Sequence, residues 1–368
     1  FIIMISAMSC NTEELFVEPV GEEVINLEDE EEVLEEEVTE EDEEPEVDPT
    51  LPCEFDLNTI APNSTIHINC MMDLDGATIS VPANVSILYD GGDIINGTLN
   101  FSDNGIISGE LLNSTLTLSG SNPQLKDPIF NFIPQRWDIV EGETTSEIAQ
   151  INNDILENIM IRSKGWGVST FKIDKLDAFF EVGKVTSTDS NQNFYASQEA
   201  INVPSDFNLV MTDNTHLRVY PNNAPKYSLL AVRDVSNVTI TGGNLYGDRD
   251  DHDYSSGGSH EWGHVLDIHV AVNIIVSNVK AVNGSGDGLV IHGLRFSFQS
   301  NYAPSHNVLV KNCTFDSNRR NNISITDGYD IYIENNLLLN AGVDKQNSTG
   351  VNPKFGLDVE AVRTSDGN

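Results

Sequence analysis

A solenoid of stacked parallel β-coils is the fold class this sequence predicts, on three observations. Five short segments between Leu229 and Val362 align as copies of one unit: Leu230-Ala231-Val232-Arg233, Leu266-Asp267-Ile268-His269, Leu289-Val290-Ile291-His292, Ile323-Ser324-Ile325-Thr326 and Leu357-Asp358-Val359-Glu360. In each, the first and third residues are aliphatic, the period of a strand with one face in a core. An Asn or Asp follows each of the first four, at Asn237, Asn273, Asn307 and Asp330. A second β segment then follows each time: Val238–Ile240, Ile274–Val276, Val308–Val310 and Ile331–Ile333. One such coil cannot bury its apolar face alone, but each covers its neighbour. The step from Leu266 to Leu289 is about 23 residues, within the repeat range of solenoids.

This register predicts two outward columns. One is Ala231, Asp267, Val290, Ser324, Asp358, and the other is Arg233, His269, His292, Thr326, Glu360. An ordinary solenoid face carries Thr, Ser, Asn and Lys. This one places Arg, two His and carboxylates on rungs about 5 Å apart. Gly286-Asp287-Gly288 leads into the His292 rung, and Arg319-Arg320 leads into the next. The candidate catalytic residues are therefore Asp267, His269, His292, Asp358 and Glu360. Arg233, Asp287, Arg319 and Arg320 are candidate substrate ligands.

Taken in order, the chain of 368 residues opens with FIIMISAMSC at 1–10. This resembles the end of a bacterial lipoprotein signal with Ala7-Met8-Ser9-Cys10 as its lipobox. The resemblance implies lipidation of Cys10 and a membrane contact through a lipid anchor only. Residues 11–50 hold 20 acidic residues and no Lys or Arg. Self-repulsion keeps such a block extended, so it reads as a disordered tether. An acidic stretch after the lipidated Cys is similar to the surface-export signal of Bacteroidetes lipoproteins, which implies a cell-surface or extracellular outer-membrane lipoprotein.

Residues 51–120 are short strands separated by Gly, Asn, Asp and Ser turns, a small solenoid-like β module. Within it Cys53 and Cys70 are able to pair in an oxidising compartment. Residues 121–143, with Pro123, Pro128 and Pro134, read as a linker. Thr144–Ser163 reads as a helix capped by Thr144 or Thr145, with Ile148, Ile151, Ile155 and Ile159 at helical spacing. It would cap the first rung of a β-helix domain over 144–368, where apolar strand edges would otherwise be exposed. The chain lacks an initiator Met, and no capping element is visible after the last strand, so further chain is expected at both ends.

Gly247–His264 (GDRDDHDYSSGGSHEWGH) is a loop inserted between the first two aligned rungs. Function concentrates on loops held by a rigid scaffold, so His260, Glu261 and Trp262 are candidate substrate contacts. The alternative is a polar loop closed on itself or around a divalent cation such as calcium. A second insertion, Leu294–Ser305, carries Arg295, Phe296, Phe298 and Tyr302. Cys313 reads as a core residue. The formal net charge of −39 argues against nucleic acid as a partner.

Residues 144–368 resemble the pectin-lyase-like superfamily of right-handed parallel β-helices. The rung pattern, the Asn turns, Gly286-Asp287-Gly288 and the run Arg319–Ile325 carry the likeness. It implies an all-β right-handed parallel β-helix (solenoid) with an N-terminal capping helix and a small N-terminal β-rich module. Among its activities are polysaccharide lyases and glycoside hydrolases, both using a groove on the helix face. Hydrolysis would use Asp267 with Asp358 or Glu360 as acid and second carboxylate. Elimination from a uronate would use His269 or His292 as base and Arg319 or Arg320 to neutralise the carboxylate. A non-catalytic glycan-binding or adhesive solenoid is the alternative outside enzymes, because one fold hosts many functions.

Overall fold

The computed structural model describes residues 51–121, 123–184 and 196–360. The lipobox with Cys10 and the acidic tether lie outside them. The fold is the expected parallel β-helix: the main solenoid is built from three stacked sheets capped by one α-helix, and three smaller parallel sheets, of four, two and three strands, form the N-terminal module. The first sheet has seven strands, from Ile129–Phe132 through Ser236–Thr241 and Val272–Ser277 to Tyr329–Glu334. The second has six, from Leu176–Phe180 to Leu337–Leu339. The third carries the aligned repeats: β1 (Ile201–Asn202), β2 (Lys226–Arg233), β3 (Trp262–His269), β4 (Leu289–His292), β5 (Ile323–Ile325) and β6 (Leu357–Val359).

The pairing follows the sequence register. Leu230 pairs with Leu266, Leu266 with Leu289, Leu289 with Ile323, and Ile323 with Leu357. The second segments pair likewise, Val238 with Ile274, Ile274 with Val308, and Val308 with Ile331. The turn residues do what their chemistry favours. Asn237, Asn273, Asn307 and Asp330 all have φ between 53° and 59°, the left-handed region that Asn and Asp tolerate best.

Stacked on one another, the turn residues form a ladder. The Asn273 amide donates to Asn237 Oδ1 at 2.8 Å, and the Asn307 amide to Asn273 Oδ1 at 2.6 Å. Asn273→Ala is expected to lower stability by about 1–2 kcal/mol, and Asn273→Gly by less, because glycine keeps the left-handed backbone. Urea unfolding midpoints of the two variants check this ordering.

Residues 121–143 are not a linker. Gln124–Leu125 pairs with Ile106–Ile107 of the N-terminal module, and Ile129–Phe132 pairs with Thr170–Ile173 of the main solenoid. The prolines that suggested a linker sit where a missing N–H does no harm: Pro134 opens a 3₁₀ turn. One apolar core runs from Leu57 to Ile333 across both parts. Cys53 and Cys70 form a disulfide, and Cys313 is buried and free, its thiol pushed up to about 11 by burial.

Helix α1 spans Ser146–Gly165, and Thr145 caps it through Ile148 N. Its buried face differs from the isoleucine stripe. Ile151 is exposed, while Asn152 and Asn153 are buried. The open edge of the first coil presents backbone carbonyls that need donors. The Asn152 amide donates to Val140 O and Phe179 O, and the Asn153 amide to Glu181 O and Glu199 O. The helix therefore caps the solenoid with amides as well as with Leu156, Ile159 and Met160.

Candidate functional site

The two expected columns exist in register, but half of the expected open face is covered. Ala231, Asp267, His269, Val290 and Ser324 are all buried. β2 and β3 run on for eight residues each, and a 3₁₀ turn at Ala196–Gln198 lies over them. Ser197 Oγ meets His269 Nδ1 at 2.9 Å. The accessible part of this face instead holds His292, Arg320, Asp358, Glu360 and the half-exposed Trp262.

Asp267 is one hub. Its Oδ2 accepts from the Ser228 hydroxyl at 2.7 Å, and its Oδ1 lies 2.8 Å from His292 Nε2. Burial pushes this carboxyl up, but the facing His292, His269 and His264 imidazoles outweigh it and hold the group below the usual range. The His269 ring stacks flat on His292, 4.1 Å between centroids at 12°. Burial, helped by His292 and Arg233, pushes His269 down to about 3, so it is neutral at pH 7. Burial does the same to His264, also to about 3. In the tautomer where His292 donates Nε2–H to the Asp267 carboxylate, Nδ1 is the ring's basic nitrogen.

Arg320 is the second hub; both Nη atoms are hydrogen-bonded, while its buried Nε has no hydrogen-bond partner. Its guanidinium contacts Asp287 at 3.0 Å, Ser324 Oγ at 3.3 Å, Glu261 at 3.8 Å and, closer still, Glu360. Gly286-Asp287-Gly288 makes this geometry possible. A Cβ on Gly286 would sit 2.2 Å from Glu261 O, and one on Gly288 2.4 Å from Asn318 Nδ2. Asp287 also accepts from Asn321 N at 2.9 Å. Burial still pushes its carboxyl up, to about 6, against Arg320. Asn321 Nδ2 donates to Asp358 Oδ2 at 3.0 Å. Burial and the neighbouring Glu360 raise the Asp358 carboxyl.

Two expected substrate contacts, Arg319 and His260, are used otherwise. Arg319 donates to Thr349 O and His260 O and lies over the Tyr254 ring, 4.2 Å from its centroid. It pins loops together and does not face the groove hub. His260 is buried and bonded to His252, so it is no substrate ligand. The polar loop closes on itself through side chains, and among the described residues no three His, Cys, Asp or Glu groups converge to hold a metal ion.

Arg233 stands apart. It is half-buried at the end of the His column. Among the described residues it has no ion pair, and its buried Nε has no hydrogen-bond partner. Its place in the column was legible in the sequence; its lack of a partner was not. Ser197, Ser228, His264 and Asn321 were missed as site residues. Ser228 and His264 fall just before the four-residue windows that the aliphatic pattern picks out.

No protein-family model matches this chain, and no solved structure matches it. The chain is 33% identical over 181 residues to the uncharacterized protein YclG of Bacillus subtilis (strain 168), a match covering 48% of this chain and 30% of YclG. It is 31% identical over 166 residues to the SPbeta prophage-derived uncharacterized protein YorA of the same organism, covering 44% of this chain and 28% of YorA. The chain thus spans less than a third of the length of either relative.

Proposed function

We propose that this chain is a pectin-lyase-like surface protein that cleaves an acidic polysaccharide by β-elimination in the groove of its third sheet. One observation carries the reading: an unpaired arginine, Arg233, in the same column as two stacked imidazoles. Arg233 Nε is closed off from solvent, but its two Nη atoms have no hydrogen-bond or ion-pair partner among the described residues, and a substrate carboxylate would pair with them. Arg319 and Arg320, the neutralisers expected from sequence, are already spent on carbonyls and carboxylates.

In this reading Arg233 binds the uronate carboxylate and stabilises the charge that develops there. His292 Nδ1, oriented by ionised Asp267, takes the C5 proton. The C5–H electrons form the C4–C5 double bond as the C4–O bond breaks. The leaving oxygen takes its proton from solvent, because Asp358 lies two coils beyond His292 and four beyond Arg233. The neutral His269 keeps a second positive charge off the stacked pair. The disulfide Cys53–Cys70 supports an oxidising, extracellular location, and the likeness of 1–10 to a lipobox supports anchoring through Cys10.

A second reading rests on the Asp358–Glu360 pair. Two neighbouring carboxyls, of which burial and Glu360 raise Asp358, suit glycoside hydrolysis. A panel of plant and marine polysaccharides, followed for reducing ends and for ultraviolet absorbance, separates the readings. Elimination gives both signals, and His292→Ala then lowers kcat by about 10²–10⁴-fold. Reducing ends without absorbance sink elimination in favour of hydrolysis. Binding with neither signal leaves a glycan-binding solenoid.

A further inference from the structure

We propose that the buried chain Tyr227–Asp248–His252–His260 is a positioning device that holds Glu261 and Trp262 at the groove and lets them go in acid. Its consequence for substrate rests on the glycan reading above; the device itself does not. The Tyr227 hydroxyl donates to Asp248 Oδ1 at 2.6 Å. Asp248 Oδ2 lies 2.7 Å from His252 Nδ1 and also accepts from Asn222 N and Nδ2. His252 Nε2 meets His260 Nδ1 at 2.8 Å. Asp248, His252 and His260 are 3%, 7% and 2% exposed, which is deep for titratable groups on an inserted loop.

His260 is the link to the groove. It directly precedes Glu261, which reaches Arg320, and Trp262, which begins β3. Its φ of +49° is unfavourable for a residue with a Cβ, so other contacts must hold it. Those contacts are the His252 ring on one side and, on the other, Arg319 Nη1 donating to its carbonyl at 2.9 Å. Neither His touches the Asp267 or Arg320 hub among the hydrogen bonds described.

The relay fits one protonation state. His252 gives Nδ1–H to Asp248 and accepts Nδ1–H from His260, so each donor has one acceptor. A proton added here faces Asp248 and Asp253, which attract it, and Arg319 and the second imidazole, which repel it. Tyr227 and Tyr254 complete the surroundings as neutral groups; burial pushes both phenols up. Burial, His252 and Arg319 together lower His260 below its ordinary value of 6.5. In an opened loop His260 regains that ordinary value. The closed loop therefore binds fewer protons: its stability is complete above 6.5 and is lost as pH falls toward the lowered value.

Tryptophan quenching tests this without any substrate. The chain has three tryptophans, and Trp137 and Trp166 are buried, so acrylamide reads Trp262. The quenching constant of the wild-type protein is expected to rise about twofold between roughly pH 7.5 and 5, in the range where histidine titrates. His252→Phe should show the raised value already at neutral pH. His260→Asn should keep the low value throughout, because its amide replaces the Nδ1 donor, tolerates the left-handed backbone and does not titrate. A flat wild-type curve, or an acid response retained in His260→Asn, overturns the proposal. If His252→Phe fails to fold, those two curves still decide it. On a glycan that is cleaved, release shows as a KM raised about tenfold with kcat nearly unchanged. Absence of any glycan binding would overturn the polysaccharide reading and leave the quenching result intact.

Discussion

Arg233→Ala is expected to lower kcat on a uronate polymer by about 10²–10³-fold, the cost of removing one preorganised charge that faces the developing anion. Arg233→Lys should recover little of it, since an ammonium does not present the guanidinium's paired donors. The fold should tolerate both changes, because Arg233 ends β2 and its side chain bonds to nothing among the described residues. Thermal unfolding of the variants should match the wild type within a few degrees, a control that separates loss of chemistry from loss of structure. Arg320→Ala behaves differently: it leaves Asp287 buried without its cation and lowers stability along with activity. The comparison tests the assignment of the two arginines, one awaiting a ligand and the other already occupied. A wild-type rate in Arg233→Ala, with cleavage of the polymer still giving ultraviolet absorbance, would remove Arg233 from the mechanism.

The difference between these arginines shows where sequence reading stops. Period-2 aliphatic spacing fixed which residues pair across β2 to β6, because a slip of one residue would turn every core side chain outward. The Asn turns were legible for a similar reason: few residue types accept a left-handed backbone. The three-residue strands Asn244–Tyr246 and Lys280–Val282 of the second sheet were not read, since three residues barely establish a period. Outward direction was legible, but exposure was not. His269 points off the core and is still buried, because Ser197, 72 positions earlier, lies against its ring. Charge partners were equally hidden. Arg319 and Arg320 are adjacent in sequence, yet one goes to loop carbonyls and the other to three carboxylates from separate coils. The isoleucine stripe of α1 misled because the edge beneath the helix needed amide donors more than apolar contact at those positions.

Arg249→Met is expected to destabilise the protein by about 3–5 kcal/mol, the usual cost of breaking a buried charge-assisted network from one side. Arg249 is fully buried. Its Nε donates to Ser348 Oγ at 2.8 Å, Nη1 to Ser317 O at 2.6 Å, and Nη2 to Val343 O. These acceptors lie on a loop and a turn from later coils, so the guanidinium ties the 247–264 insertion to the segment 341–355. Methionine fills much of the volume but leaves the three acceptors without a donor in a place water cannot easily enter. The Lys345–Asp250 ion pair joins the same two loops, but it is partly exposed and adds little. A fall in Tm of roughly 10 °C is the expected readout. Limited proteolysis should cut first between 341 and 355, because those loops lose their tie while the stacked strands keep theirs. If Arg249→Met melts with the wild type, the clamp is not what holds the wall, and the Asp248–His252–His260 relay alone would have to position Glu261 and Trp262.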